Sequence, residues 1–366
     1  MNPALTPDIQ EVMGAIHYRP AVSLIMPFEP KIGLKAELSY ALKLAVDKTE
    51  EEILDNYPNE KGRIVIEKLK NLVKQLNFST NKKSIAIYVS PVFEKIVYLD
   101  IPVEEKIIID ESFEIRDLLY SKKQVHKYLV VQLSGKESKI FLGNTESFLR
   151  LATHTPESAY AYVNDAPEKV ANFSDPSERK EIILDKFLMG VDKGLGAILN
   201  SHPLPVFVMG AERTMGHFKK ITRHANSIEA FIQGNYEDAN SSQLAATLKP
   251  YVSEWQNSRQ KDLLAQLEEA ASHKKLVSGI KDVWKEAMNR KGRLLVVEKN
   301  YMVAAQRGSH ESMIHTSANA GNSFSDIKDA VDDVIEKVLE NGGDVEFVEN
   351  GLLANQHRIA LILYYQ

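Results

Sequence analysis

Short apolar runs alternate with longer helical repeats along the whole chain, and this alternation constrains the fold more than any other feature. Val22-Ser23-Leu24-Ile25-Met26-Pro27 reads as a buried strand stopped by proline, which lacks the N–H that a sheet ladder needs. Leu34, Leu38, Ala41, Leu42 and Ala45 then recur on one helical face, and Val65, Leu69, Leu72, Val73 and Leu76 on another. The turn Tyr57-Pro58-Asn59-Glu60-Lys61-Gly62 separates them, so the pair predicts an antiparallel helical hairpin. Strands follow at Ser84–Ser90, Ile96–Leu99 and Glu105–Ile109. Phe113–Leu119 closes this part, and Lys122-Lys123-Gln124 reads as a linker.

A strand hairpin is predicted from Tyr128–Leu133, the turn Ser134–Ser138 and Lys139–Gly143. A helix carrying Phe187, Leu188, Val191 and Leu195 comes before the strand Pro205–Gly210, and a helix should follow that strand. Residues 243–273 are helical in pattern, as are those around Ile280, Val283, Trp284 and Met288. Strands are predicted at Gly292–Val297, Met302–Ala305, Val345–Val348 and Ile359–Tyr365, with a helix over Ile327–Leu339 and a flexible loop over Gln306–Ser325. Alternating elements of this kind give an α/β (α+β) fold. The 366 residues suit two or three domains. The expected division is 1–124, 125–256 and 257–366, each a mixed sheet with packed helices and the third an α/β sandwich.

Composition removes several function classes. With no cysteine there is no disulfide, thiol nucleophile or iron–sulfur cluster. The net charge of −5 argues against a broadly basic nucleic-acid coat but not against a local basic contact. The N-terminus lacks the basic and apolar regions of a secretory signal, and no run approaches 18 apolar residues. A cytoplasmic protein without membrane contact is expected. Phosphate-loop, dinucleotide, nucleophile-elbow, zinc-protease and calcium-loop motifs are all missing. No metal or cofactor is expected.

Five features carry chemistry or imitate it. Between Lys61 and Lys83 seven Lys or Arg accompany one Glu. That cluster reads either as a solvated helix face or as a phosphate contact. The polar stretch Thr153–Glu178 is long for a loop and holds Tyr160, Tyr162 and Asn164. His217 and His224 stand seven apart with no nearby carboxylate to complete a metal set, and the strand–Gly210–helix turn is a weak ligand signal. Nine acids and two bases between Asp326 and Glu349 predict an acidic outer face, solvated or meeting a basic partner but not rRNA.

The order of these units resembles the class-1 release factors of archaea and eukaryotes and their relative Pelota. It is most similar to the bacterial archaeo-eukaryotic release-factor-like family, which includes ribosome hibernation factors. Val22–Pro27, Ile85–Pro91, Lys127–Asn144, Pro205–Ala211, Val345–Val348 and Ile359–Tyr364 carry the resemblance. It implies a Y-shaped tRNA mimic in the ribosomal A site. The first domain would point to the decoding centre, the middle one to the peptidyl-transferase centre and the third to a translational GTPase of the elongation-factor type. Asn59, Lys61, Arg63, Lys68 and Lys70 are then the candidate rRNA-binding residues. Tyr160, Tyr162 and Asn164 belong to the peptidyl-transferase end. The family's hydrolytic Gly-Gly-Gln is missing, because no glycine occurs between Gly143 and Gly190, and so is its codon-reading Asn-Ile-Lys-Ser. The expectation is a non-enzymatic factor that occupies idle or stalled ribosomes under stress. The alternatives are a rescue peptidyl-tRNA hydrolase or nuclease with another site, and a scaffold that no longer binds ribosomes.

Overall fold

A computed structural model describes residues 6–16, 18–124, 127–144, 148–152, 158–165, 176–316 and 326–365. The chain forms two units, Met1–Gln124 with Asp262–Gln366, and Val125–Lys261.

The N-terminal segment begins with α1 (Pro7–Met13) and β1 (Ala21–Pro27). The predicted hairpin follows as α2 (Lys35–Asn56) and α3 (Glu60–Lys74), then β2 (Ser84–Val89), β3 (Glu94–Leu99), β4 (Lys106–Asp110) and α4 (Arg116–Gln124). The sheet order is β3-β2-β1-β4, antiparallel throughout. Alternation divides β1 and β2 between two cores. Val22, Leu24, Met26, Ile85 and Ile87 meet the hairpin, while Ile25, Ala86 and Tyr88 face the other way. Lys122 and Lys123 are the basic last turn of α4 rather than a linker. Lys122 reaches Asp8 at 3.0 Å and Lys123 reaches Asp344 at 2.7 Å.

The second unit holds β5 (Tyr128–Leu133), β6 (Ser138–Gly143), β7 (Phe148–Leu151), α5 (Pro176–Ser201), β8 (Val206–Gly210), α6 (Glu212–Ile221), β9 (Ile228–Gln233) and most of α7 (Ser241–Ser272). Its sheet runs β7-β6-β5-β8-β9, with β5, β8 and β9 parallel. Phe187, Leu195, Met215 and Phe218 cover one face; Leu244 and Leu248 of α7 cover the other.

The C-terminal segment continues with β10 (Leu276–Ser278), α8 (Ile280–Met288), β11 (Gly292–Glu298), β12 (Ala305–Arg307), β13 (Ile314–Thr316), β14 (Asp326–Ile327), α9 (Ala330–Glu340), β15 (Asp344–Val348) and β16 (Ile359–Leu363). The main sheet, β10-β16-β11-β15, lies between α8 and α9 on one side and the end of α7 on the other, an α/β sandwich. Residues 306–316 form the β12–β13 pair, not a loop, and 317–325 lie outside the described residues.

The unpaired face of the N-terminal sheet shares one core with α8, α9 and β11. A polar cluster lies within the same unit. Arg116 is 1% exposed; its guanidinium binds Asp329 and donates to the Tyr301 carbonyl at 2.6 Å. Asp332 accepts from the Arg116 N–H at 2.9 Å and from the Ile115 N–H, so it caps α4 from another helix. Asp329 caps α9, accepting from Val331 N–H at 3.0 Å. The positive ends of two helices therefore share these carboxylates. Burial, with Arg116 opposing, pushes Asp332 up to about 8, and burial also drives Glu114 well above the usual range. The expected acidic outer face is corrected here: Asp326, Asp329, Asp332 and Glu336 are all buried. Helix periodicity locates α9, but Asp329 and Asp332 are held inward by Arg116 and the capped N–H groups, while Glu340 and Glu349 stay exposed.

Candidate nucleic-acid interface

The tip of the α2–α3 hairpin is built by two residues. Asn59 has extended backbone and accepts from Gly62 N–H at 3.3 Å, the helix cap its residue type favours. A Cβ on Gly62 would lie 2.1 Å from the Tyr57 carbonyl oxygen, so this tight entry requires glycine. Once the start is fixed, Val65, Ile66, Leu69 and Leu72 point into the core. Arg63, Glu67, Lys70 and Lys74 then form one outer stripe at spacings of three and four residues. With Glu50 and Asn71 they line an open groove of about 480 Å³.

Lys61 and Lys68 lie on the opposite flank of α3 from this stripe. The Lys61 ammonium sits 4.5 Å from the centre of the Tyr18 ring, a cation–π contact. Lys68 is 3.8 Å from Glu94, Lys70 is 2.6 Å from Glu50, and Lys82 pairs with Asp100. Three acids from other elements thus halve the +6 read from the Lys61–Lys83 segment to +3. Arg63 and Lys74 are exposed and have no ion pair among the described residues. Sequence reasoning named Arg63 and passed over Lys74, although the stripe's spacing already links them.

In the second unit the 3-10 turn Ala159–Asp165 rests on α5. The Tyr162 ring meets Phe187 edge to face, 6.1 Å between centres, and its hydroxyl occupies the space a side chain on Gly190 would need. Tyr160 is 72% exposed. The two tyrosines therefore separate into an anchor, Tyr162, and a free aromatic, Tyr160. Asn164 has its backbone in the same turn; its side chain, and residues 153–157 and 166–175, lie outside the described residues.

The histidines do find carboxylates, supplied by α5. His217 Nδ1 is 2.7 Å from Asp185, and His224 Nε2 is 4.0 Å from Asp192, which also accepts from the Thr222 hydroxyl at 2.7 Å. Asp185 and Asp192 of α5 repeat at the same seven-residue spacing as the histidines, but only His217 lies on α6; His224 stands in the turn beyond its end. No group of three or more metal-ligating side chains occurs among the described residues. Gly210 serves packing: a Cβ there would lie 2.6 Å from the Leu133 carbonyl oxygen. The following helix opens with Glu212, which disfavours an anion at its N-terminus. No helix among the described residues is long and apolar enough to cross a membrane.

Residues 127–292 match the family model described as bacterial archaeo-eukaryotic release factor family 3. That segment, which is less than half of the chain, is release-factor-like. No curated protein matches it. Among solved structures it is similar to archaeal Pelota in a ribosome-bound model with ABCE1, at 10% identity over 100% of this chain and 96% of that one, TM-score 0.45. Dom34 of S. cerevisiae, a translation termination-like factor, gives 14% identity over 78% and 75%, TM-score 0.41. An archaeal translation termination factor gives 12% over 98% and 97%, TM-score 0.25.

Proposed function

We propose that this protein binds the ribosome as a release-factor-like factor, occupying the A site of idle or stalled particles without hydrolysing peptidyl-tRNA. The carrying observation is the release-factor family match over a segment that holds no glycine between Gly143 and Gly190. A Gly-Gly-Gln loop needs glycines, because its backbone enters conformations closed to other residues. The exposed Arg63–Lys74 stripe gives the N-terminal segment a phosphate-binding edge. A translational GTPase of the elongation-factor type is the proposed second partner, and a cytoplasmic location follows from the ribosome.

The test is co-sedimentation with 70S ribosomes. Replacing Arg63 and Lys74 with Glu should abolish it, whereas replacing the ion-paired Lys68 should matter less. Wild-type binding by the folded Arg63/Lys74 variant would move the contact elsewhere. A hydrolytic reading has one observation in its favour: the His217–Asp185 pair has the geometry of an oriented general base. Peptidyl-tRNA release or RNA cleavage well above background, lost in His217→Asn, would replace the non-enzymatic reading.

A further inference from the structure

One end of the C-terminal sheet gathers cations that are distant in sequence. Leu276 of β10 pairs with Ile362, and Gly292 of β11 with Leu363, so both strands begin where β16 ends. Just outside this edge stand Lys274 and Lys275, Arg290 and Lys291, and Tyr364 and Tyr365. Backbone bonds hold the three turns together. Leu363 N–H donates to the Lys275 carbonyl at 2.8 Å, and Tyr364 N–H to the Lys291 carbonyl at 3.0 Å. Arg293 joins them, lining with His273, Lys275 and Tyr364 an open groove of about 560 Å³.

Lys274, Arg290 and Arg293 are exposed and unpaired among the described residues. The facing acids are few: Glu269 lines the groove, and Glu286 is 3.0 Å from Lys291. Lys274 and Arg290 sit at φ 55° and 61°, where glycine or asparagine is the usual occupant. Tyr364 is 43% and Tyr365 57% exposed beside them. An acidic peptide would satisfy only the cations. A nucleotide chain satisfies both the cations and the flat aromatic faces, since phosphates pair with Lys and Arg while unpaired bases stack on tyrosine.

We propose that this sheet end is a contact surface for unpaired RNA, with Lys274, Lys275, Arg290 and Arg293 on phosphates and Tyr365 on a base. It adds a second RNA surface to the ribosome reading above and rests on that reading for the source of the RNA. The test uses the full chain and a fluorescent oligouridylate of roughly 12 nucleotides, within the usual span of such sites. Replacing Lys274, Arg290 and Arg293 with Gln should weaken binding about tenfold or more and flatten the log–log salt slope by about 2. Tyr365→Ala should weaken oligouridylate binding while leaving inorganic polyphosphate binding unchanged. Thermal melts check that each variant is folded. Wild-type affinity and slope in the triple variant would overturn the proposal. So would equal loss of both probes in Tyr365→Ala, or binding of an acidic peptide but not of oligouridylate. Loss of oligouridylate binding in Arg63/Lys74→Glu alone would place the RNA on the hairpin and would also overturn it. Retained oligouridylate binding at this surface without 70S co-sedimentation would strike the ribosome reading alone.

Discussion

Arg116 and Asp332 decide much of the chemistry inside the first unit, and their effects on stability run in opposite directions. The buried guanidinium compensates Asp329 and Glu114, so Arg116→Met should leave buried carboxylates without a cation. A loss of about 3–5 kcal/mol is expected from urea unfolding; a variant as stable as wild type would show the pairing to be dispensable. Asp332 is different, because its proton is held to about pH 8 in the folded chain and released near pH 4 once unfolded. The folded state then binds more protons between those values, so stability falls as pH rises from about 4 to about 8 and levels off above. Asp332→Asn should flatten that fall by about 1 kcal/mol or more, read as the difference in unfolding free energy between pH 5 and pH 8. An unchanged slope would assign the pH dependence to other groups. Nothing in the local sequence announces this cluster. Acids on a helix normally face water, and the partners Ile115 and Arg116 lie more than 200 positions away.

Elements with strong internal signals were legible, and those defined by distant partners were not. The apolar runs of β1, β2, β5 and β8 and the stripes of α3 and α8 are fixed by burial at periods of 2 and 3.6, which sequence displays directly. β7 and β9 are edge strands, partly exposed, so their sequence patterns are weak. The end of α4 resembles a polar linker because its lysines find Asp8, Asp344 and Glu346 only in the folded chain. In the candidate interface, the hairpin tip and Arg63 could be read, whereas the acids that neutralise Lys68 and Lys70 could not. Gly62 gives a test at this scale. A helical Gly→Ala change usually stabilises by about 1 kcal/mol. Here the added Cβ would lie 2.1 Å from the Tyr57 carbonyl oxygen, so the sign reverses. Gly62→Ala should lower the melting temperature by several degrees, corresponding to about 1–3 kcal/mol. A melting temperature at or above that of wild type would remove the steric account of the tip.

At the scale of the whole molecule, the chain leaves its first unit at residue 124 and re-enters it at 262. The N-terminal sheet buries one face against its own hairpin through Val22, Leu24, Ile85 and Ile87. Its other face, with Ile25, Ala86 and Tyr88, joins a core completed by Trp284, Val297, Val334 and Leu361. Arg116 and the N-terminus of α4 likewise find Asp329 and Asp332 only in the C-terminal segment. A fragment of residues 1–124 would therefore expose an apolar sheet face and leave Arg116 without Asp329. The second unit has both faces of its sheet covered from within, by α5 and α6 on one side and α7 on the other. Residues 125–261 expressed alone should melt cooperatively, with dispersed amide resonances. Residues 1–124 alone should bind a hydrophobic dye and lack a sharp transition, and adding 262–366 in trans should restore one, because the missing surface is supplied rather than the missing covalent bond. A cooperative transition in 1–124 alone, at the temperature of the intact chain, would mean that the shared core contributes nothing and that the two segments are joined in contact only.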